Sequence, residues 1–437
     1  MRRTMPRSVR GAEEFPVFQV AERGLPMAHG DVRMSDNIHL PAPSVAPSLR
    51  WHDAGPSGSG SGIGATSNGK IIACTYLGAR GDNLVVYGAR GERLWTSGDL
   101  LDAASPASVP LLDEEGGVIA ADDRSVVRFG PGGDVRWNTS TPGGVCISPV
   151  ITDSGIVVLA TLGGPVSAFD SRDGQLVGSL RLPADSDGGQ FFDTVNTPCV
   201  RGNRIYISAQ LTDGREESPA HVGELIAVDV DPSVSEPLTV AWRFPFGSPS
   251  GGSPLRIGDT IYFDGNRDHP GQVPIQPELF AVKDDGTGPE LLWKHPMRNL
   301  VVASAAEDPR GGLWTYAAGD SHLLRLDPDT GEELQDIDLD PLVDEPGVHV
   351  PASCMSIAET AERPVMLVAA TAPLTEGSSW VTAIDLTDMT LVWKWKIADS
   401  LAVDWTSGQF PVVLDEAERP CVVFTTHQSG AYVVGAP

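Results

Sequence analysis

The chain predicts an all-β fold, an eight-bladed β-propeller of four-stranded antiparallel blades, and three observations carry that expectation. A unit of about 40–60 residues recurs eight times along the sequence. Tryptophan returns at the same place near the end of most units. The last unit breaks off at "SGAYVVGAP", before its final strand, whereas a strand of that final type stands alone near the start, in "APSLRWHDAG".

Each unit opens with a small or polar residue and an apolar pair, turns on Gly, Asp or Asn, and continues into a β-rich run. The inner halves read "GATSNGKIIACTY", "SVPLLDEEGGVIAAD", "SPVITDSGIVVLAT", "TPCVRGNRIYISAQ", "SPLRIGDTIYFDG", "ASAAEDPRGGLWTYAAG", "ASCMSIAETAERPVMLVAAT" and "FPVVLDEAERPCVVFTT". The outer halves follow the same order, from "NLVVYGARGERLW" to the unfinished "GAYVVGAP". Trp51, Trp95, Trp137, Trp242, Trp293 and Trp393 hold equivalent positions, with Gly178 and Gln335 in their place in two units. Trp51 has no inner strands before it, so its strand is expected to complete the C-terminal blade. That pairing closes the ring and leaves no blade short of its outer strand. The expected division is an N-terminal arm over 1–47, partly flexible, and one propeller domain over 48–437.

The outer segments resemble the quinoprotein-type propeller repeat, an eleven-residue pattern with Ala, Asp, Thr-Gly and a final Trp. "AFDSRDGQLVG" keeps Ala168, Asp170 and Gly174; "RLDPDTGEELQ" keeps Asp327, Thr330 and Gly331; "AIDLTDMTLVW" keeps Ala383, Asp385 and Trp393. Gly and Asp suit the turn between the two outer strands, and Trp suits a wedge between blades. The resemblance implies the propeller over roughly residues 48–437. Quinone-dependent dehydrogenases of this class carry a vicinal cysteine pair and Ca²⁺ ligands beside their cofactor, and this sequence has no Cys-Cys. It looks closer to the cofactor-free members, so neither PQQ nor calcium, nor any other cofactor, is expected.

Composition narrows the partners. Lys and Arg number 31 against 58 Asp and Glu, a formal charge of −27. Such a field repels phosphate backbones and anionic lipid, so nucleic acid and membrane are excluded as expected partners. Cys74, Cys146, Cys199, Cys354 and Cys421 are odd in number and scattered, which reads as buried reduced thiols. No apolar leader and no stretch of ~20 apolar residues is present, so a cytoplasmic protein is expected. The sequence has no GxSxG nucleophile elbow and no phosphate-binding Gly-Lys-Ser/Thr loop.

Strand alternation sorts the loops onto two faces. First-to-second and third-to-fourth connections share one face and are short and acidic, as in "LDEEGG" and "DPDTGEE". These read as ordinary turns. The opposite, funnel face carries the long insertions, "SAQLTDGREESPAHVGEL", "DGNRDHPGQVPIQPEL" and "PADSDGGQFFDTVN" among them, and most of the histidines. Aromatics mixed with carboxylates, amides and imidazoles at a funnel mouth suit a ligand pocket. The expected ligand-binding residues are Phe192, Asn196, Arg298, Asn299, Trp405, Gln409, His221, His269, His322 and His427. No close His spacing points to a metal, and no metal ligand is assigned. Two functions follow. The first is a binding propeller holding a small molecule or a protein segment on this face. The second is an enzyme of lyase, hydrolase or isomerase type on the same face, with or without the assistance of a metal ion, and with His349, Asp193 and Asp404 as candidate acid-base residues.

Overall fold

The computed structural model describes residues 15–78, 81–101, 109–183, 190–212, 223–249, 251–266, 277–298, 304–317, 319–345, 347–351, 354–358, 363–371, 378–397 and 408–436. Eight blades follow in chain order. In the first, Gly60–Thr66, Ile72–Tyr76, Leu84–Tyr87 and Arg93–Thr96 run from the axis outward. The inner strands of blades two to eight are Leu111–Leu112, Val150–Ile151, Cys199–Arg201, Leu255–Ile257, Ala306–Asp308, Ser356–Ala358 and Val412–Leu414. Neighbours within each blade are antiparallel, and the apolar runs of the two middle strands are buried on both sides, between adjacent blades.

The ring closes as the repeat demands. Ser48–Asp53 is the outer strand of blade eight and pairs antiparallel with Gly430–Gly435, from Ser48 opposite Gly435 to Asp53 opposite Ala431. Successive blades are keyed by the outer-strand tryptophans. Trp51 donates its ring N–H to the Ala89 carbonyl at 3.3 Å, Trp95 to Pro131 at 3.1 Å, Trp137 to Ser171 at 3.0 Å and Trp293 to Pro328 at 2.9 Å. Each acceptor lies in the outer turn of the next blade. There the indole lies flat on a turn glycine: a Cβ on Gly91, Gly133, Gly174 or Gly331 would come within 2.6–2.7 Å of the ring. All four glycines have φ between 73° and 83°, so the repeat's glycine serves both the turn and the indole. Where Gly178 replaces Trp, Pro237 of the next blade fills the gap.

Blade eight lacks a continuous outer turn because its last strand comes from the other end of the chain. Trp393 accordingly donates to Pro43 of the arm, at 2.7 Å. The described part of the arm, residues 15–47, crosses the short-turn face and enters the channel. Gly24–Leu25 pairs with the innermost strand of blade one as a fifth strand. Backbone bonds then tie Pro26 to Leu112, Val32 to Val200, Arg33 to Arg256, Ser35 to Glu307 and Asp36 to Ile357, so the inner strands of six blades hold the arm. Leu25, Met27, Met34 and Ile38 have no exposed surface and Phe18 and Leu40 are nearly as buried. Each contributes about 1.5–3 kcal/mol of hydrophobic stabilisation. The arm is a plug at the short-turn end of the channel.

Candidate functional site

Within the plug the chain makes a tight loop over residues 29–36. The Asp36 N–H donates to the His29 carbonyl at 2.9 Å, and Asp31 gathers the Arg33 and Ser35 N–H groups at 2.8 and 3.2 Å. Arg33 extends from this loop to Glu307 of blade six at 2.8 Å. His29, Met34, Asp36 and His39 all adopt left-handed backbone, with φ of 56–60°. Such residues cost of order 1–3 kcal/mol each and persist only where the surroundings over-determine them.

The loop sets His29 and Asp36 side by side. The Nδ1 of His29 lies 3.1 and 3.0 Å from the two carboxylate oxygens of Asp36, with both residues buried. Two residues from the funnel-side starts of inner strands complete the group. Cys354, just before Ser356–Ala358, brings its thiol to the pair, so that ligating atoms of His29, Asp36 and Cys354 all lie within 4.8 Å of one another. The side chain of Gln409, just before Val412–Leu414, stands against Asp36 and favours its charged form. Its own Oε1 is buried and has no partner among the described residues. Burial pushes the Asp36 carboxyl up, against the pull of His29. Cys354 keeps some exposed surface, yet its thiol is deep enough for burial to raise it well above its ordinary value, and the Asp36 charge adds to the shift.

A second group forms on the funnel face between blades five and six. His322 Nδ1 lies 2.7 Å from Asp336 Oδ1, and Arg298 donates to Asp336 Oδ2 at 2.6 Å. Burial opposes ionisation of Asp336, but His322 and Arg298 outweigh it and hold the carboxyl below its usual range. All three side chains are partly exposed.

The other expected site residues are spread around the ring. Phe191–Thr194 forms an added strand on the extended second strand of blade four, Arg204–Thr212. Phe192 there is buried in the core with Arg243 over its ring at 5.4 Å. Asp193 accepts the Gly163 N–H at 2.6 Å and its carboxyl is raised, burial being the largest cause. Asn196 donates to Gly251 O and accepts from Thr197 N. His349 pairs through its backbone with Thr371 in blade seven, far round the ring from Asp193 in blade four. His427 sits half-buried in the turn before Gly430–Gly435. His221, His269, Asn299, Asp404 and Trp405 lie outside the described residues. The structure therefore joins Arg298 to His322, and Gln409 to the axial group.

Asp336, His29, Asp36 and Cys354 were not among the expected residues. The arm lies outside the repeat, so register arguments never reach it. The signal available was "LPMAHGDVRMSDNIHL", where His, Asp and Asn interrupt an apolar run too regularly for a solvated tail.

The profile of the family described as outer membrane protein assembly factor BamB matches residues 44–281, from just before the closing strand into blade five. The chain belongs to this family of PQQ-repeat propellers. No curated protein matches the sequence. Solved structures share the BamB-type fold at low identity. A europium-containing methanol dehydrogenase superposes with TM-score 0.63 at 11% identity, over 94% of this chain and 90% of its own. The quinohemoprotein alcohol dehydrogenase from Comamonas testosteroni gives 0.63 at 10%, over 95% and 81%. BamB from Moraxella catarrhalis gives 0.54 at 11%, over 86% and 96%. At these identities the likeness is one of fold.

Proposed function

We propose that the protein is a cytoplasmic binding propeller that takes a small molecule or a segment of a partner protein on its funnel face. The observation that carries this reading is the arm. It blocks the channel at the short-turn end through bonds to the inner strands of six blades, so access to the axis runs from the funnel end. That face has the long connections and the added Phe191–Thr194 strand, whereas the plugged face is made of tight turns. Loops built out on one end of a rigid ring are the usual place for recognition in repeat proteins. The family is described as an outer membrane protein assembly factor, which is consistent with a partner segment on that face. The proposal includes no quinone.

One observation favours an enzymatic second reading. Asp336 orients the His322 ring through Nδ1, which leaves Nε2 to exchange a proton, and Arg298 stands beside the pair as an anion-binding group.

A thermal-shift screen of metabolites and peptides on the full chain tests the binding reading. The expected hit loses its shift in the Arg298→Ala, His322→Ala double variant and keeps it in Arg90→Ala on the opposite face. Equal loss in both would sink the assignment to the funnel face. Turnover of the hit, lost in His322→Ala alone, would move the assignment to the enzyme.

A further inference from the structure

We propose that His29, Asp36 and Cys354 form a site for one divalent transition metal, of the zinc or cobalt class, at the propeller axis. The donor set is one imidazole nitrogen, one carboxylate oxygen and one thiolate sulfur. That mixture suits borderline-soft divalent ions and suits neither calcium nor magnesium, which take oxygen. The donor atoms are already within 4.8 Å of one another, and among the described residues this is where three such groups converge. Cys74, Cys146, Cys199 and Cys421 sit within blades and belong to no such cluster there.

Charge supports the assignment. A divalent cation held by one carboxylate, one thiolate and a neutral imidazole makes a buried centre of zero net charge, the cheapest way to keep Asp36 ionised in the interior. Gln409 supplies the independent observation. Its side chain is 3% exposed, it stands against Asp36 and favours that carboxyl's charged form, and its buried Oε1 has no hydrogen-bond partner among the described residues. An oxygen in that position serves as a fourth ligand or as acceptor for a metal-bound water.

Binding is a ligand exchange that balances simply. The Cys354 thiol gives its proton to solvent as the sulfur–metal bond forms. Asp36 exchanges its hydrogen bond from His29 for a metal–oxygen bond, releasing a proton as well if it is protonated. The imidazole ligates through its unprotonated nitrogen; for Nδ1 to do so, the ring proton resides on Nε2. The site joins the arm to blade seven, so an ion there fastens the plug. This inference is independent of what the funnel face binds.

The test uses the full chain, reduced and stripped by chelator, then titrated with Co²⁺. One equivalent is expected, with thiolate-to-cobalt charge-transfer absorption. Cys354→Ser is expected to abolish that absorption, and His29→Asn or Asp36→Asn to weaken binding about tenfold or more, with the far-UV spectrum unchanged. A measurement on wild-type protein covers the case in which a variant fails to fold. Alkylation followed by peptide mass spectrometry is expected to show metal-dependent protection of Cys354 alone. No thiolate band at saturating Co²⁺, a band surviving in Cys354→Ser, or protection of a different cysteine would each overturn the site, leaving a hydrogen-bonded cluster only.

Discussion

The two ends of the propeller handle carboxylates in opposite ways. On the short-turn face, Asp170 is held low by Arg172, Asp231 by Ser233, and Asp415 by the Arg419 backbone and side chain against the opposing effect of burial. Asp284 and Asp308 are also low: burial opposes this, but Arg204 and Tyr206 outweigh it at Asp284, and Arg310 and Arg325 at Asp308. Toward the axis and the funnel, burial wins. Asp36 and Asp193 are raised, and Asp264 is pushed up to about 8, with a buried Oδ2 that has no partner among the described residues. Asp336 and Asp53 are exceptions on the funnel face: Asp336 is paired with both His322 and Arg298, and Asp53 with Arg93. The contrast separates turns that spend their charge on holding the ring from a region that keeps unpaired polar capacity inside. Raised carboxylates gather where ligands are handled more often than where turns are tied.

Substitutions on the two ends should therefore have different readouts. Trp293→Ala should have the largest effect, about 3–5 kcal/mol of lost stability by chemical denaturation, since it removes the wedge and its bond to Pro328. Asp308→Asn should follow at about 3 kcal/mol, because Arg310 and Arg325 lose a buried counter-charge. Neither should alter funnel-face binding when measured below the unfolding transition. Gly331→Ala is expected to cost about 1–3 kcal/mol, because its φ is 73° and the new methyl meets the Trp293 ring at 2.6 Å.

The pH dependence sharpens the same contrast. Asp284 and Asp308, lowered in the folded protein, contribute stability above about pH 4 that is lost as the pH falls below that value. Asp264 works in the other direction. Its folded value of about 8 lies above the unfolded one, so its favourable contribution is complete in acid and fades as the pH rises from about 4 through 8. Asp264→Asn should thus gain on the wild type by up to about 5 kcal/mol between pH 4 and pH 8, each pKa unit being worth about 1.4 kcal/mol. An identical pH profile for the two proteins would remove Asp264 from the contrast. The smallest effect is expected from Arg90→Ala, below about 1 kcal/mol, because its ion pair with Glu416 is exposed on both sides.

The repeat and its closure were legible from residue types alone. Trp51 paired with nothing before it, and "GAYVVGAP" lacked a partner strand; the register from Ser48–Gly435 to Asp53–Ala431 joins them. Gly174 and Gly331 were readable as turn residues, while their second duty, giving the indole a flat seat, appears only when the next blade is in place. Arg298 and His322 were readable as funnel-face residues, but Asp336, which joins them, looked like one more acidic strand residue.

By itself the sequence determined the number of blades, the antiparallel order and the closing strand, because alternating apolar runs and turn residues are local and eight repetitions make them unambiguous. Tertiary structure decided where the arm goes and what the axis contains. The His29–Asp36 pair of the arm, Cys354 and Gln409 stand far apart in sequence and share no period, and they meet only because six inner strands draw the arm into the channel. Contacts made by ring closure have no local signature, since each partner's environment is supplied by a different blade.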